Sequence, residues 1–147
     1  MDFPIKLVDP TLLLPSYQTK GSVAFDLYAR IDVRIKPWKP TLIPLNVIVE
    51  IPKGYMLLLA SRSSLPLKKN LLVANGVGII DQDYCGKDDE VALQVVNFSE
   101  KVVRVARGER IAQGILMRVD KVDKFKVKQK MSNTSRGGFG STGGHKS

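Results

Sequence analysis

The sequence predicts a nearly all-β domain of the sandwich or jelly-roll-like barrel class, and three observations carry that expectation. Apolar residues come in short runs and alternations rather than at helical spacing. Pro and Gly interrupt those runs closely, the turn rhythm of many short strands. The 147 residues, 44% of them hydrophobic, suffice for one real core and are too few for two domains.

Taken in order, Ile31-Asp32-Val33-Arg34-Ile35-Lys36 alternates cleanly, as a strand with one buried face must. Val47-Ile48-Val49-Glu50-Ile51 and Tyr55-Met56-Leu57-Leu58-Leu59 read as strands separated by a Pro52-Lys53-Gly54 turn. A brief helix fits only near Leu65 to Leu72, where Pro66 restricts it to a first turn. Val91-Ala92-Leu93-Gln94-Val95-Val96 is a further strand, and others are expected at Val102 to Val105 and Ile111 to Val119. Residues 1–131 form the β domain in this scheme. From Ser132 to Ser147 the composition shifts to Gly, Ser and Thr, which cannot build a core.

Composition excludes several chemistries. Cys85 and His145 are the only residues of their types, so a disulfide framework, a thiolate zinc cluster and a His-based triad within one chain are ruled out. Any metal is then a hard cation held by oxygens. The start, Met1-Asp2-Phe3-Pro4, lacks a signal-peptide pattern, and no apolar run approaches the roughly 18 residues of a membrane span, so a soluble intracellular protein is expected. A formal net charge of +9 favours polyanionic partners, although excess charge alone also serves solubility.

Gly78-Ile79-Ile80-Asp81-Gln82-Asp83-Tyr84-Cys85-Gly86 sets two acids and a tyrosine between glycines after an apolar strand. A carboxylate at the tip of a rigid hairpin can deprotonate water; alternatively the acids bond to their own turn. Ser61-Arg62-Ser63-Ser64 places hydroxyls beside a guanidinium at a strand end, either a phosphate cradle or the approach to a helix cap. Asp26 lies inside the apolar strand Ala24 to Ala29, where an unpaired charge is costly. It therefore needs a buried Arg or a water of a hydrated cation. Arg107-Gly108-Glu109-Arg110-Ile111-Ala112-Gln113 is a charged turn before a strand with one inward-capable amide. The tail Arg136 to Gly144 is either a disordered terminus or a glycine-rich wrap for anionic oxygens with Phe139 as a stacking face.

In this order and spacing the five segments resemble the trimeric deoxyuridine triphosphatase (dUTPase) family, from about Gly21 to Gly144. Gly21 to Ala29 is similar to the first family motif, Arg62-Ser63-Ser64-Leu65 to the second and Gly78 to Gly86 to the third. Gly108 to Gln113 and Gly137 to Gly143 resemble the fourth and fifth. The compact chain and short tail look like the forms of large DNA viruses, poxviruses among them.

The resemblance implies a jelly-roll-like subunit in a homotrimer whose three sites lie at subunit interfaces. One subunit would supply the first, second and fourth motifs, its neighbour the third, and the third subunit the tail (132–147) as a lid. The implied reaction is hydrolysis of dUTP to dUMP and pyrophosphate by water attack on the α-phosphorus, with Mg2+ as cofactor. Asp81 would be the general base and Asp26 would hold metal-bound water. Arg62, Ser63, Ser64, Gln113, Arg136, Ser141 and Thr142 would hold phosphates. The backbone of a hairpin from Asn75 through Gly78, Ile79 and Ile80 would pair with uracil, Tyr84 would exclude a 2′-hydroxyl, and Phe139 would stack on the base.

This chain departs from the family pattern in two places. Thr134 stands where the family's tail arginine is usual, and Arg136 directly precedes Gly137. Lys87-Asp88-Asp89-Glu90 reads as an added charged stretch. A dCTP deaminase of the same fold is one rival, but it needs a differently arranged carboxylate. A noncatalytic polyanion-binding β domain is the other, favoured by the basic run Lys121 to Lys130; the implied reaction itself requires no nucleic acid and no membrane.

Overall fold

Eleven strands and one short helix form in the computed structural model, which describes residues 1–138. The strands are β1 (Ile5–Leu7), β2 (Phe25–Tyr28), β3 (Val33–Ile35), β4 (Thr41–Pro44), β5 (Val47–Val49) and β6 (Tyr55–Ser61). After α1 (Leu65–Lys69) come β7 (Leu71–Val73), β8 (Gly78–Ile80), β9 (Ala92–Asn97), β10 (Val103–Val105) and β11 (Arg110–Arg118). The nearly all-β expectation holds, with the ends of the expected strands displaced by a residue or two: β6 runs on to Ser61, whereas β3 and β5 are shorter.

All pairings between these strands are antiparallel. The largest sheet has the order β2-β11-β6-β8, and a second runs β4-β9-β7. Two short ladders, β1-β5 and β10-β3, complete the set. Period-two patterning decides which side chains enter the core. In β9, Leu93, Val95 and Asn97 are buried while their neighbours are half-buried. Leu57 and Leu59 of β6 join Leu27, Ile43, Leu71 and Ile111 in one apolar cluster. Each such side chain contributes about 1.5–3 kcal/mol by leaving water. Asn97 is tolerated there because it is satisfied: its amide donates to the carbonyls of Ile35 (3.1 Å) and Lys101 (2.7 Å).

Where β11 crosses β2, a Cβ on Gly114 would stand 2.7 Å from the Phe25 ring, so only glycine fits. Helix α1 is brief and carries Pro66 in its first turn, where the missing N–H costs no helical bond. It ends at Asn70, which adopts a left-handed conformation (φ 53) and donates its N–H to Pro66 O at 3.1 Å.

Two expectations about the third segment are corrected. Gly78 to Ile80 does not form a paired hairpin with the strand before it. β7 pairs with β9, β8 pairs with β6, and the turn between them, helped by Gly76 at φ 77, passes from one sheet to the other. Asp81 is likewise not at a hairpin tip, because the following strand, β9, lies between β4 and β7. The segment 81–91 is thus a crossing between sheets. Period-two patterning locates strands but does not name their partners.

Candidate active site

One group of predicted residues comes together at the end of β6 where Ser61 lies. Asp26 is only 6% exposed, in agreement with a strand buried on both faces. Its charge is met by two arginines: Arg62 Nε is 3.3 Å from Oδ1 and Arg110 Nη1 is 3.2 Å from Oδ2. Of the two partners the sequence allowed for Asp26, the structure supplies arginine. Gln113 faces Asp26 across the β11–β2 ladder, and its amide donates to Ser61 O at 2.9 Å, pinning the strand end that delivers Arg62. Ser64 occupies the N-cap position of α1 without making a side-chain cap bond. Its hydroxyl is therefore not consumed by the helix, as the capping alternative required. Arg62, Ser64, Lys68, Lys69 and Arg110 line a cavity of about 280 Å³ with Glu109 and Leu65. Lys69 Nζ bridges Glu109 at 2.8 Å, which ties the fourth segment to the helix after the second.

Arg110 is the member of this group that residue-by-residue reading missed. A signal existed: a buried acid on one strand calls for a cation on its neighbour, and β11 is that neighbour. Gln18, whose side-chain oxygen accepts from Arg110 Nη1, carried no such signal.

A second group lies elsewhere. Asn75, Gly78, Ile79 and Ile80 line a cavity of about 180 Å³ with Leu59, Val73 and Gln94. It opens between β7 and β8, both edge strands of their sheets, so backbone groups facing it are left free of ladder bonds. Gly78 packs so tightly on Leu59 that a Cβ would come within 3.0 Å of it. Asp81 is exposed and lines an adjoining cavity of about 200 Å³ with Tyr55, Gln82 and Lys121. The turn here is closed by backbone, Tyr84 N–H donating to Asp81 O at 3.2 Å. Among the described residues no hydrogen bond or ion pair occupies the carboxylate of Asp81.

The loop beyond is less free than its charges suggested. Glu90 accepts from Arg30 Nε (2.7 Å) and Nη2 (2.8 Å) and from the backbone N–H of Asn46 (2.8 Å). The two bonds from Arg30 to the Glu90 carboxylate raise the pKa of Arg30 above its ordinary value. Tyr84 hydroxyl donates to Glu90 O at 3.2 Å, so Lys87 to Glu90 is an anchored turn.

The two groups do not meet within one chain. Ile80 pairs with Leu57, so Asp81 falls beside Met56, at the start of β6, whereas Arg62 follows its last residue. At about 3.3 Å per residue, roughly 20 Å of strand separates them. Arg136 is exposed and outside both groups. Phe139, Ser141 and Thr142 lie outside the described residues. Among the described residues no cluster of three or more His, Cys, Asp or Glu is placed to hold a metal, and no helix is long and apolar enough to cross a membrane.

Comparison with known proteins shows the family. The family model described as dUTPase matches residues 11–143. A deoxyuridine 5'-triphosphate nucleotidohydrolase of Helicobacter pylori (strain P12) is 39% identical over 97% of this chain and 97% of its own. That of Hydrogenobaculum sp. (strain Y04AAS1) is 40% identical over 97% and 99%. Among solved structures, a mutant dUTPase of Staphylococcus bacteriophage 80alpha with dUpNHpp superposes with a TM-score of 0.82 at 24% identity, covering 97% of this chain and 98% of that one. That likeness supports the jelly-roll-like fold.

Proposed function

We propose, from the premise that this chain belongs to the dUTPase family and hydrolyses dUTP to dUMP, that each active site is assembled from separate subunits of a homotrimer. The observation that carries this is the separation of an unpaired Asp81 carboxylate from the Asp26–Arg62–Arg110 group by the length of β6. One subunit then offers the phosphate group, and a neighbour offers the open β7–β8 edge with Asp81. Residues 132–147 of the third subunit close over the nucleotide, with Phe139 stacking on the base and Arg136, Ser141 and Thr142 on the phosphates.

Asp81 takes the proton of the attacking water, and its freedom from internal partners leaves its oxygens available for that task. Arg62, Ser63, Ser64 and Gln113 hold the triphosphate and offset the charge that develops as pyrophosphate leaves. Arg110 joins them through Asp26. The donor set fits a magnesium ion bound chiefly by substrate phosphates and water, since Asp26 is a single carboxylate rather than part of a cage. When bound, that ion would supply charge neutralisation for the triphosphate, with Asp26 holding one of its waters.

Uracil enters the cavity between β7 and β8, where free backbone groups accept from N3 as a partner base would, which cytosine cannot satisfy. Close walls at the C5 edge exclude a methyl, and Tyr84 against the sugar excludes a 2′-hydroxyl. Asn75 adds a side-chain contact at the same edge. An intracellular, soluble setting belongs to the same proposal, in the host cytoplasm for a viral form; the relatives compared above are bacterial, and a poxvirus-like origin rests on the compact chain alone. Pyrophosphate release measured with dUTP, dCTP, dTTP and UTP in the presence of magnesium tests the specificity. Rapid turnover of dUTP alone is expected. Comparable rates with dTTP or UTP would remove the base and sugar assignments.

A further inference from the structure

One side chain in the turn after β8 behaves unlike its neighbours. From Asp81 to Asp88 every residue is exposed except Gln82, which is half-buried. Its Nε2 donates to Tyr55 O at 2.8 Å. The ladder between β6 and β8 pairs Leu59 with Gly78, Leu58 with Ile79 and Leu57 with Ile80, and there it stops. Carried on in the same register, position 82 falls opposite Tyr55. The Gln82 side chain thus joins the turn to β6 two residues beyond the last backbone pair.

We infer that Gln82 is a positioning residue for Asp81, a role that rests on Asp81 being the base proposed above. Asp81 stands between two attachments to β6, the pairing of Ile80 on one side and the Gln82 amide on the other. Its own carbonyl accepts from Tyr84 N–H at 3.2 Å. Among the described residues no ion pair engages its carboxylate. A base has two needs that conflict, because its oxygens must be free to take a proton and yet stand within a fraction of an ångström of the right place. Bonds to the carboxylate itself would meet the second need and defeat the first. Holding the backbone on both sides of Asp81 meets both. Glutamine also suits the task chemically, since its neutral amide anchors the turn without setting a charge beside the carboxylate. A lysine or arginine could donate to Tyr55 O as well, but its charge would make the neighbouring carboxylate less basic.

The test compares Gln82→Met with Asp81→Asn and with the double variant, in the full-length protein with magnesium. Single turnovers of dUTP are followed, so that product release does not hide the chemical step. Methionine keeps the length and bulk of the side chain but cannot donate to Tyr55 O. The single-turnover rate of Gln82→Met should fall about tenfold, because a small misplacement of a reacting group suffices for a loss of that order. Affinity for a nonhydrolysable dUTP analogue should match the wild type, and the acid limb of the pH–rate profile should keep its midpoint. In the Asp81→Asn background the same substitution should cost nothing further, since no base remains to be positioned. A wild-type rate in Gln82→Met beside a slow Asp81→Asn would overturn the inference and leave Asp81 as the base. Rapid turnover by Asp81→Asn would instead remove the base assignment, and the inference with it. An equal cost in both backgrounds, or a loss confined to analogue binding, would make Gln82 a prop of the fold and overturn its positioning role. A displaced acid limb would overturn it too, by showing that Gln82 acts on the charge of Asp81 rather than on its place.

Discussion

The two ends of β6 are built on opposite plans. At the Ser61 end most charged groups have a partner within the chain, Asp26 between Arg62 and Arg110 and Lys69 on Glu109, and the Gln113 amide holds the strand end. At the Tyr55 end an edge strand is left open and Asp81 presents an unpaired carboxylate beside it. The braced end resembles a receptor, whose cationic groups must stand ready before an anion arrives, because holding them in place beforehand lowers the cost of binding. The open end resembles a tool, whose basic oxygen is useful only while nothing else occupies it. The contrast explains how a domain this small can carry a charged site without frustrating its own fold. The two groups are kept at opposite ends of one strand, and the trimer proposed above would bring them together.

Removing the tool is the harshest way to test this division. Asp81→Asn keeps the size of the side chain and removes the base, so kcat should fall by about 10² to 10⁴ while folding and nucleotide binding persist. Turnover near the wild-type value would take the role of base away from Asp81. Asp26→Asn should also be inactive, since it strips the shared counter-charge from Arg62 and Arg110. When the two inactive variants are unfolded and reassembled together, activity should reappear, because some interfaces then combine an intact Asp26 with an intact Asp81 from another chain. A mixture no more active than its components would return both residues to one subunit's site and dissolve the comparison between the ends.

The sequence made the two ends legible to different degrees. The strands were readable because Leu57, Leu59, Leu93 and Val95 repeat with period two, and the strained demand of a buried Asp26 was readable from its apolar neighbours. What period two does not encode is the partner of each strand, so β8 looked like one arm of a hairpin although its ladder is with β6. Glu90 was hidden for a related reason. It sits in the run Lys87 to Glu90, which looks like a solvated turn, and its partner Arg30 is 60 residues away. Only the three-dimensional crossing of the two sheets reveals that Glu90 is half-buried and bonded to Arg30, just past β2, and to Asn46, between β4 and β5.

Glu90 accordingly offers a milder perturbation that sharpens the contrast. Glu90→Ala removes the acceptor for Arg30 and for the N–H of Asn46, which stands at a positive φ of 69. Leaving those partly buried donors unpaired should cost about 1–3 kcal/mol, visible as a lower urea midpoint with an unchanged m-value. Because the loop to Tyr84 is also released, KM for dUTP should rise more than kcat falls. A stability equal to the wild type would mean that the loop is held by something other than this anchor.

The gentlest test concerns acid. The turn before Arg110 is tethered by Arg107, whose N–H donates to Asp32 (2.9 Å) and whose guanidinium reaches Asp9 (2.7 Å). The Thr11 hydroxyl first, and Arg107 second, hold the Asp9 carboxyl far below the ordinary carboxylate range, and the Arg107 N–H, then Arg104, lowers Asp32. A carboxyl whose folded pKa is depressed contributes stability above its unfolded value, about 3.9, and loses it as pH falls through the folded value. The variant D9N/D32N should therefore melt below the wild type at pH 6, and the gap should close as the pH drops under about 4. Both carboxyls are screened by solvent, so the gap should be small and should shrink further in high salt. A gap that stays constant from pH 6 to pH 3 would show that the two side chains act through packing rather than charge, and that the braced end owes less to its ion pairs than its geometry implies.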